Sequence, residues 1–274
     1  MGVDSIKKTV FKLLSFVFAA AMVVSSIMIA KEVYGSQKEI DDFHELSGLV
    51  TEQPVIDENE EDTMSDSESS ISKDPDSKED LENETPLPIF TRNLIPLFEK
   101  NADCIGWVYI EDSAVDYPVM HTPSEPQRYL RLNFDKEYSN AGIPFLDGDN
   151  TLDDDNLIIY GHNMRNGTMF SDLTQYRNED YCIEHPVIEF ETARGLKLYT
   201  VFAVVYVKNE DSWYDFYAAA DETDYNNKID EIKRRALYDT GITPEYGQQL
   251  LTLSTCYGAT KSDRIIVIGA ESTY

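Results

Sequence analysis

The chain has 274 residues and carries 51 acidic against 23 basic side chains, a formal net charge of −28 at pH 7. No basic face is evident and so acidic a chain repels polyanions, which excludes a nucleic-acid-binding protein. The chain has three cysteines, Cys104, Cys182 and Cys256, and this small, odd number argues against a disulfide framework. Hydrophobic residues make up 42% of the chain, which is enough for one sizeable domain.

The N-terminal segment has the pattern of a membrane anchor. Three lysines precede 18 uncharged, mostly apolar residues from Leu13 to Ala30, and a helix of that length nearly crosses a hydrocarbon core. A cleavable signal peptide has a shorter apolar stretch and a small-residue cleavage site, and no clear A-x-A pattern is present. The basic flank predicts a cytoplasmic N-terminus, so residues 1–35 are predicted to form a single-pass signal-anchor with the remainder outside the cell.

The next segment, residues 36–88, is strongly acidic. It holds 18 acidic residues against 3 basic ones and offers few groups to bury. Like charges keep such a chain extended, so we predict a disordered acidic extracellular stalk in preference to a partner-binding tail. The composition of a globular domain begins at about residue 89 and continues to residue 274.

Within residues 89–274 the sequence predicts a mostly β fold. Eight short apolar runs are separated by Gly, Pro, Asn and Asp, which is typical of a closed or nearly closed eight-stranded β-barrel with peripheral helices. The runs are 106–110, 114–120, 142–147, 156–162, 186–191, 196–207, 249–256 and 264–270.

One clear helix interrupts this pattern between the sixth and seventh runs. In residues 224–241 an apolar stripe lies opposite charged residues, and Gly241 is placed to end the helix. It could cover a barrel opening or form one wall of a substrate groove. The stripe consists of Ile229, Ile232, Ala236 and Leu237.

The acidic run at 147–156, "DGDNTLDDDN", was compared with a calcium-binding EF-hand loop. Leu152 stands where that loop requires glycine, and Ile158 stands where it requires its final glutamate. A solvated turn is the better interpretation, and no metal or cofactor is expected.

The residues most suited to chemistry stand at predicted strand ends. Cys256 ends the seventh run and Arg264 begins the eighth, while His162 ends the fourth and His121 follows the second. A rigid sheet presents side chains to a ligand at such positions. The other two histidines, His44 in the stalk and His185 in a polar turn, are set aside.

A cysteine and a histidine that share one barrel mouth could perform acyl transfer. The thiolate attacks carbonyls, and an imidazole can favour the thiolate and later protonate a leaving amine. Arg264 would add a fixed cation for an oxyanion. Structural roles remain open for each: a buried inert Cys256, a structural histidine, or a surface salt bridge between Arg264 and Asp263.

Several sequence motifs resemble those of a known enzyme family. "TLSTC" followed by an arginine at the next strand, and "YGHN" with the trailing "MRNGTMFSDLTQY", resemble the sortases, transpeptidases of Gram-positive bacteria. "IGWVYIEDSAVDYPVM", "RYLRLNFDKEYSNAGIPFLD" and the helical insert resemble class B of that family. The resemblance covers about Ile89 to Ala270 and implies an eight-stranded sortase-like barrel, which agrees with the strand count.

Carried over residue by residue, the resemblance implies Cys256 as nucleophile, His162 as general acid and base, and Arg264 as stabiliser of tetrahedral intermediates. Ser254 and Thr255 match the positions beside the cysteine and are expected to line the substrate groove. His121 does not match the catalytic histidine and becomes the second choice. The eight-residue interval from Cys256 to Arg264 is short beside many class B members, which puts the subclass in doubt.

The implied activity is that of a membrane-anchored cysteine transpeptidase. It would cleave a C-terminal sorting signal of exported proteins, NPxTx- or LPxTG-like, through a thioester, and transfer the protein to a peptidoglycan amine or a pilin lysine. The signal, the acceptor and a housekeeping, haem-uptake or pilus role stay open. Two alternatives are a cysteine hydrolase of peptides or cell wall with the same Cys and His, and a non-enzymatic surface adhesin in which Cys256 is buried.

Overall fold

Eight β-strands close into a barrel in a computed structural model that describes residues 3–50 and 88–272. Around the barrel the order is β1-β2-β3-β4-β7-β8-β6-β5, so β4 and β7 are neighbours although they are far apart in sequence. The predicted mostly β, eight-stranded barrel with peripheral helices is confirmed. The strands are β1 Cys104–Tyr109, β2 Asp116–Met120, β3 Phe145–Leu146, β4 Asn156–Tyr160, β5 Val187–Thr192, β6 Gly195–Lys208, β7 Leu250–Cys256 and β8 Asp263–Glu271.

Strand β7 is buried on both faces. Its side chains alternate between the barrel interior, where Leu251 and Leu253 pack, and the outer layer, where Leu250 packs. A strand that is covered on both sides does not need a solvent-facing polar residue at every second position. This explains why "LLTL" does not alternate regularly between apolar and polar residues. This burial makes β7 a rigid support for Cys256 at its end.

A four-turn helix, α4, covers the outside of the barrel. It spans Glu222–Arg235, and the Asp221 side chain caps it by accepting from the backbone N–H of Asp224 (2.9 Å). Tyr225, Ile229 and Ile232 are buried on its inner face. The predicted end at Gly241 was wrong: Ala236 is already extended, so Ala236 and Leu237 do not belong to the helix, and the Leu237 N–H bonds to Val204 of β6 (2.9 Å).

Shorter helices surround the barrel. Helix α2, Ile95–Lys100, begins with Pro96 in its first turn, where the missing N–H costs no hydrogen bond. Helix α3, Glu179–Glu184, is capped by the side chain of Asn178. Three 3-10 helices lie at Arg128–Leu130, Ser171–Arg177 and Ser212–Asp215.

The N-terminal helix α1, Val3–Leu49, extends further than predicted. This helix contains a segment that is long and apolar enough to cross a membrane. Residues 36–49, predicted as the start of a disordered stalk, are helical and pack on the barrel, with Leu46 buried and the Phe43 ring 5.1 Å edge-on from Tyr117. That part of the stalk prediction is corrected; residues 51–87 lie outside the described residues.

The carboxylates of the acidic run at 147–156 bond to donors within the fold. Asp154 accepts from the Thr151 hydroxyl (2.8 Å) and from the Asn150 amide (2.9 Å), and Asp147 accepts from the Tyr160 hydroxyl (2.9 Å). Within residues 3–50 and 88–272, no group of three or more His, Cys, Asp or Glu side chains is arranged to hold a metal ion.

A fully buried carboxylate, Glu191 on β5, fastens the beginning of the domain to the barrel. It accepts from the backbone N–H of Thr91 (2.9 Å), the Thr91 hydroxyl (2.7 Å) and the N–H of Arg92 (3.0 Å). Glu191→Ala leaves these donors without an acceptor. We expect the free energy of unfolding, measured with urea, to fall by about 3 kcal/mol.

Glu184→Ala provides the control for this measurement, because Glu184 is an exposed acid in the last turn of α3. Its effect on unfolding should stay within about 0.5 kcal/mol. Equal unfolding free energies for the two variants would contradict the anchoring role of Glu191.

Candidate active site

The strand register brings Cys256, His162 and Arg264 to one end of the barrel. β4 runs parallel to β7 with Tyr160 opposite Ser254, so His162 and Cys256, each two residues further along, lie at the same level. Arg264 is the direct antiparallel partner of Cys256 on β8. All three residues line a single cavity of about 410 Å³.

Hydrogen bonds on both sides of His162 hold its backbone to the end of β7. The Thr255 hydroxyl donates to the carbonyl oxygen of Gly161 (2.8 Å), and the Asn163 side-chain amide donates to the carbonyl oxygen of Cys256 (3.0 Å). The residues before and after His162 are therefore each joined to the strand that carries the cysteine. This arrangement limits how far the imidazole and the thiol can drift apart.

The three cysteines have different environments. Cys256 is exposed, whereas Cys104 and Cys182 are buried. Burial raises the pKa of the Cys104 thiol to about 12 and also raises the pKa of Cys182, so both stay protonated and unreactive at neutral pH. The exposed thiol at the strand end is thus the accessible nucleophile among the three.

The His162 ring has a defined hydrogen-bond partner. Its Nε2 lies 3.0 Å from the carbonyl oxygen of Leu130. A carbonyl can only accept, so Nε2 carries the hydrogen and Nδ1 of the neutral ring holds the lone pair. Proton transfer in the cavity would therefore use Nδ1.

Burial lowers the pKa of His162, and the nearby Arg131 and Arg264 lower it further, while the bond to Leu130 works in the opposite direction. The ring is thus neutral at pH 7 and able to take a proton. We expect ¹³C NMR of histidine-labelled protein to give a pKa for His162 below 6.5, with the resonance assigned through His162→Gln. A measured pKa above 6.5 would contradict this description.

The guanidinium of Arg264 is held by the turn that precedes its own strand. Its Nη1 donates to the carbonyl oxygens of Lys261 (2.7 Å) and Asp263 (2.9 Å). The alternative salt bridge with the Asp263 carboxylate does not form, because that carboxylate pairs with Lys208. These two bonds use Nη1 only, and Arg264 lines the cavity that also contains Cys256.

The short interval between Cys256 and Arg264 closes through a tight turn. Gly258 has φ +117°, and a Cβ at this position would lie 2.7 Å from the Cβ of Asp263. Only glycine accommodates both the backbone angle and the close approach. The Tyr257 N–H bonds to the Asp263 carbonyl (3.1 Å), which completes the turn.

Ser254 and Thr255 border the cavity but are about 99% buried. The Ser254 hydroxyl bonds to the Tyr214 hydroxyl (2.7 Å), and the Thr255 hydroxyl bonds to Gly161 as described above. Both hydroxyls thus already have protein partners. Their predicted contact with substrate stays a prediction.

The other histidines lie apart from this constellation. His121 follows β2, and among the described residues its buried Nε2 has no hydrogen-bond partner; burial lowers its pKa. It is not among the residues that line the cavity with Cys256. His185 bonds through Nδ1 to the carbonyl of Glu111 (2.8 Å), and His44 lies on the exposed side of α1.

Several residues of the site were not identified from the sequence. Asn163 stands beside His162 in "YGHN", and this adjacency was a usable signal for its contact with the cysteine strand. Leu130 acts through its backbone carbonyl, for which a sequence carries no signal. The cavity wall also includes Pro126, Gln127, Phe145, Asp147, Gly148, Tyr160, Asn209 and Tyr214.

Comparison with known proteins agrees with this geometry. Residues 108–272, more than half of the chain, match the family model described as the sortase domain. Sortase B of Listeria monocytogenes is 35% identical over 159 residues, which cover 57% of this chain and 63% of that protein. Sortase B of Staphylococcus aureus is 30% identical over 183 residues, 63% of this chain and 73% of that protein.

Among solved structures, the Staphylococcus aureus sortase B-substrate complex superimposes with a TM-score of 0.61 at 28% identity, over 65% of this chain and 84% of that one. The residues that match the family model contain strands β2 to β8, the end of β1 and all three cavity residues that were predicted from the sequence. The chain therefore belongs to the sortase family, and the relatives described here are class B enzymes.

Proposed function

We propose that this protein is a membrane-anchored cysteine transpeptidase that cleaves a C-terminal sorting signal of exported proteins. The observation that carries the proposal is the convergence of an exposed cysteine, a neutral histidine and a fixed arginine on one cavity. Acyl transfer from an amide needs these three functions: a nucleophile, a proton carrier and an oxyanion partner.

In the first half-reaction Cys256 attacks the carbonyl carbon of a threonine in the sorting signal. Nδ1 of His162 takes the thiol proton, and the oxyanion that forms is stabilised by the remaining N–H groups of Arg264. When the C–N bond breaks, Nδ1 returns the proton to the departing amine. The products are a thioester on Cys256 and a released C-terminal peptide.

In the second half-reaction an amine attacks the thioester carbonyl. Nδ1 of His162 accepts a proton from the attacking amine and gives it to the leaving sulfur of Cys256, so the enzyme is restored and a new amide is formed. The acceptor is an amine of peptidoglycan or a pilin lysine. No cofactor takes part in these steps.

The cavity has the size and lining for a short peptide segment. Apolar surfaces come from Leu130, Phe145 and Tyr160, and polar groups come from Gln127 and Asn209. Such mixed lining is typical of sites that combine side-chain pockets with backbone hydrogen bonds. One solved structure of the Staphylococcus aureus relative is a complex with a substrate. The signal proposed for the present protein is a short peptide, NPxTx- or LPxTG-like.

Helix α1 supports attachment to a membrane. Among the helices that the structure describes, α1 is the one that is long and apolar enough to span a bilayer. With the lysine-rich flank on the cytoplasmic side, the barrel lies on the extracellular face of a Gram-positive cell membrane. Exported substrates and the cell-wall acceptor meet at that surface.

The two alternative functions make different demands on the site. The adhesin alternative requires Cys256 to be buried, and Cys256 is exposed. The hydrolase alternative uses the same residues and differs in the acceptor, which would be water. Product analysis separates transpeptidase from hydrolase.

The test uses fluorogenic peptides with NPxTx- and LPxTG-type signals, incubated with the full-length protein in detergent with and without added amines. Mass spectrometry of the products is expected to show an amide adduct whose fraction rises with amine concentration. Free carboxylate as the sole product at every amine concentration would support the hydrolase. No cleavage of any peptide would contradict both the transpeptidase and a peptide hydrolase.

A further inference from the structure

The C-terminal part of helix α1 is linked to both loops that hold His162, directly to one of them and through Tyr117 of β2 to the other. We name these loops the 128–142 loop, between β2 and β3, and the 161–170 loop, which follows β4. The first provides the Leu130 carbonyl that bonds to the His162 ring, and the second contains His162 itself. Two separate sets of contacts therefore lead from α1 to the catalytic histidine.

The first set begins at Glu39 on α1. One oxygen of its carboxylate, Oε1, accepts from the Ser139 hydroxyl (2.7 Å), the Asn140 N–H (2.9 Å) and the Ala141 N–H (3.3 Å). Glu39 is half-buried, Ser139 is buried and Asn140 is exposed, so this charge-assisted cluster is partly shielded from water. Helix α1 thereby fixes the far end of the 128–142 loop.

The fixed end of this loop is tied to the part that contacts His162. The Ser139 N–H donates to the Arg131 carbonyl (3.0 Å), and the Ile143 N–H donates to the Tyr129 carbonyl (3.0 Å). These two bonds bracket Leu130. A displacement of Ser139 would therefore also displace the Leu130 carbonyl, because these two hydrogen bonds connect the two parts of the loop.

The second set begins at Phe43, one helical turn after Glu39. Its ring packs edge-on against Tyr117 at 5.1 Å between centroids, and the Tyr117 hydroxyl accepts from the Met169 N–H (2.9 Å). The next residue, Phe170, donates its N–H to the His162 carbonyl (2.8 Å). Met169 has φ 59°, a left-handed conformation that a non-glycine residue holds only when its surroundings fix it.

We infer that Glu39 and Phe43 of helix α1 are positioning residues for His162, so that the rate of acyl transfer depends on α1 being docked on the barrel. Neither side chain touches the cavity, and both act through the loops. The inference rests on the proposed catalytic role of His162. It makes the membrane helix part of the catalytic apparatus as well as an anchor.

The test compares Glu39→Ala with Glu45→Ala in the full-length protein in detergent. Both changes remove one glutamate from the same helix, and Glu45 is exposed. For Glu39→Ala we expect kcat for peptide cleavage to fall about tenfold with little change in KM, because misplacement of a catalytic group costs rate more than binding. Glu45→Ala should match the parent protein.

Two further measurements distinguish positioning from loss of stability. Glu39→Gln should recover most of the rate, because a single side-chain oxygen accepts all three hydrogen bonds. Burial lowers the pKa of His162 and the Leu130 bond raises it, and a displaced loop alters both. The His162 pKa in Glu39→Ala should therefore differ from that of the parent protein, as followed by ¹³C NMR. Phe43→Ala should lower kcat through the second set of contacts.

His162→Ala separates failure of this inference from failure of the proposed function. An active His162→Ala variant would overturn the proposed role of His162. An inactive His162→Ala together with equal kcat values and equal His162 pKa values in the two glutamate variants would overturn the positioning role alone. A reduced kcat in Glu39→Ala with an unchanged His162 pKa and no recovery in Glu39→Gln would also overturn it.

Discussion

Cys256→Ala is expected to lower kcat/KM for sorting-peptide cleavage by roughly 10⁴-fold or more, as loss of a covalent nucleophile does in other acyl-transfer enzymes. Alanine keeps the β-carbon of the strand-end residue and removes only the sulfur, so the barrel should be unaffected. The backbone carbonyl that accepts from Asn163 is also retained. Intact-protein mass spectrometry should detect a thioester adduct on the parent protein and none on this variant.

Cys182→Ala is the matched control for this experiment. Cys182 is buried in the core near Tyr181 and has a raised pKa, so it contributes packing and no thiolate. We expect a modest loss of stability, about 1 kcal/mol, with cleavage close to that of the parent protein. Cleavage that survives in Cys256→Ala and disappears in Cys182→Ala would remove Cys256 from the mechanism.

The sequence was most informative where burial is continuous. The run from Leu250 to Thr255 is apolar or small throughout because both faces of β7 are covered, and this made the strand and its end at Cys256 recognisable. His162 was identified in the same way, as the residue just beyond β4. The resemblance to the sortase motifs then predicted that Cys256 and His162 belong to one site.

Their proximity depends on a feature that no local pattern encodes. β4 and β7 are parallel neighbours, and Tyr160 pairs with Ser254, so both strands run in the same direction and the residues two positions further along, His162 and Cys256, lie at the same level. A shift of this register by one residue would turn one of the two side chains to the other face of the sheet. Barrel closure, which involves all eight strands, fixes that register.

The sequence was least informative where a few contacts decide the structure. Residues 36–49 are too acidic to indicate packing, yet Glu39, Phe43 and Leu46, at helical spacing, dock α1 on the barrel. The end of α4 at Arg235 is likewise decided by the bond from Leu237 to β6. The local sequence patterns that indicate a helix carry no information about such tertiary contacts.

The cavity also depends on backbone groups that have no residue-specific signature. The Leu130 carbonyl selects the His162 tautomer, and the carbonyls of Lys261 and Asp263 hold the Arg264 guanidinium. In both cases a main-chain oxygen sets the orientation of a side chain that we propose to be catalytic. Such groups can be found only once the fold is known.

The second large effect is expected for Arg264→Lys, which should lower kcat by about 10²- to 10³-fold although the positive charge is retained. In the parent protein Nη1 bonds to two turn carbonyls while the other N–H groups of the planar fork remain for the oxyanion. A lysine has one compact ammonium group, which cannot bond to the turn and reach the oxyanion in the same fixed geometry. Single-turnover kinetics should place the loss in acylation, with KM changed little.

Arg194→Lys is the matched control, because Arg194 pairs with Asp153 beside a different cavity and is exposed. Its kinetics should equal those of the parent protein. A kcat for Arg264→Lys within about threefold of the parent value would mean that charge alone suffices and that the fork geometry plays no part. The expected large loss instead follows from the structure at the beginning of β8, where the turn carbonyls orient the guanidinium before substrate binds. Stabilisation of the oxyanion then requires no further loss of side-chain conformational entropy.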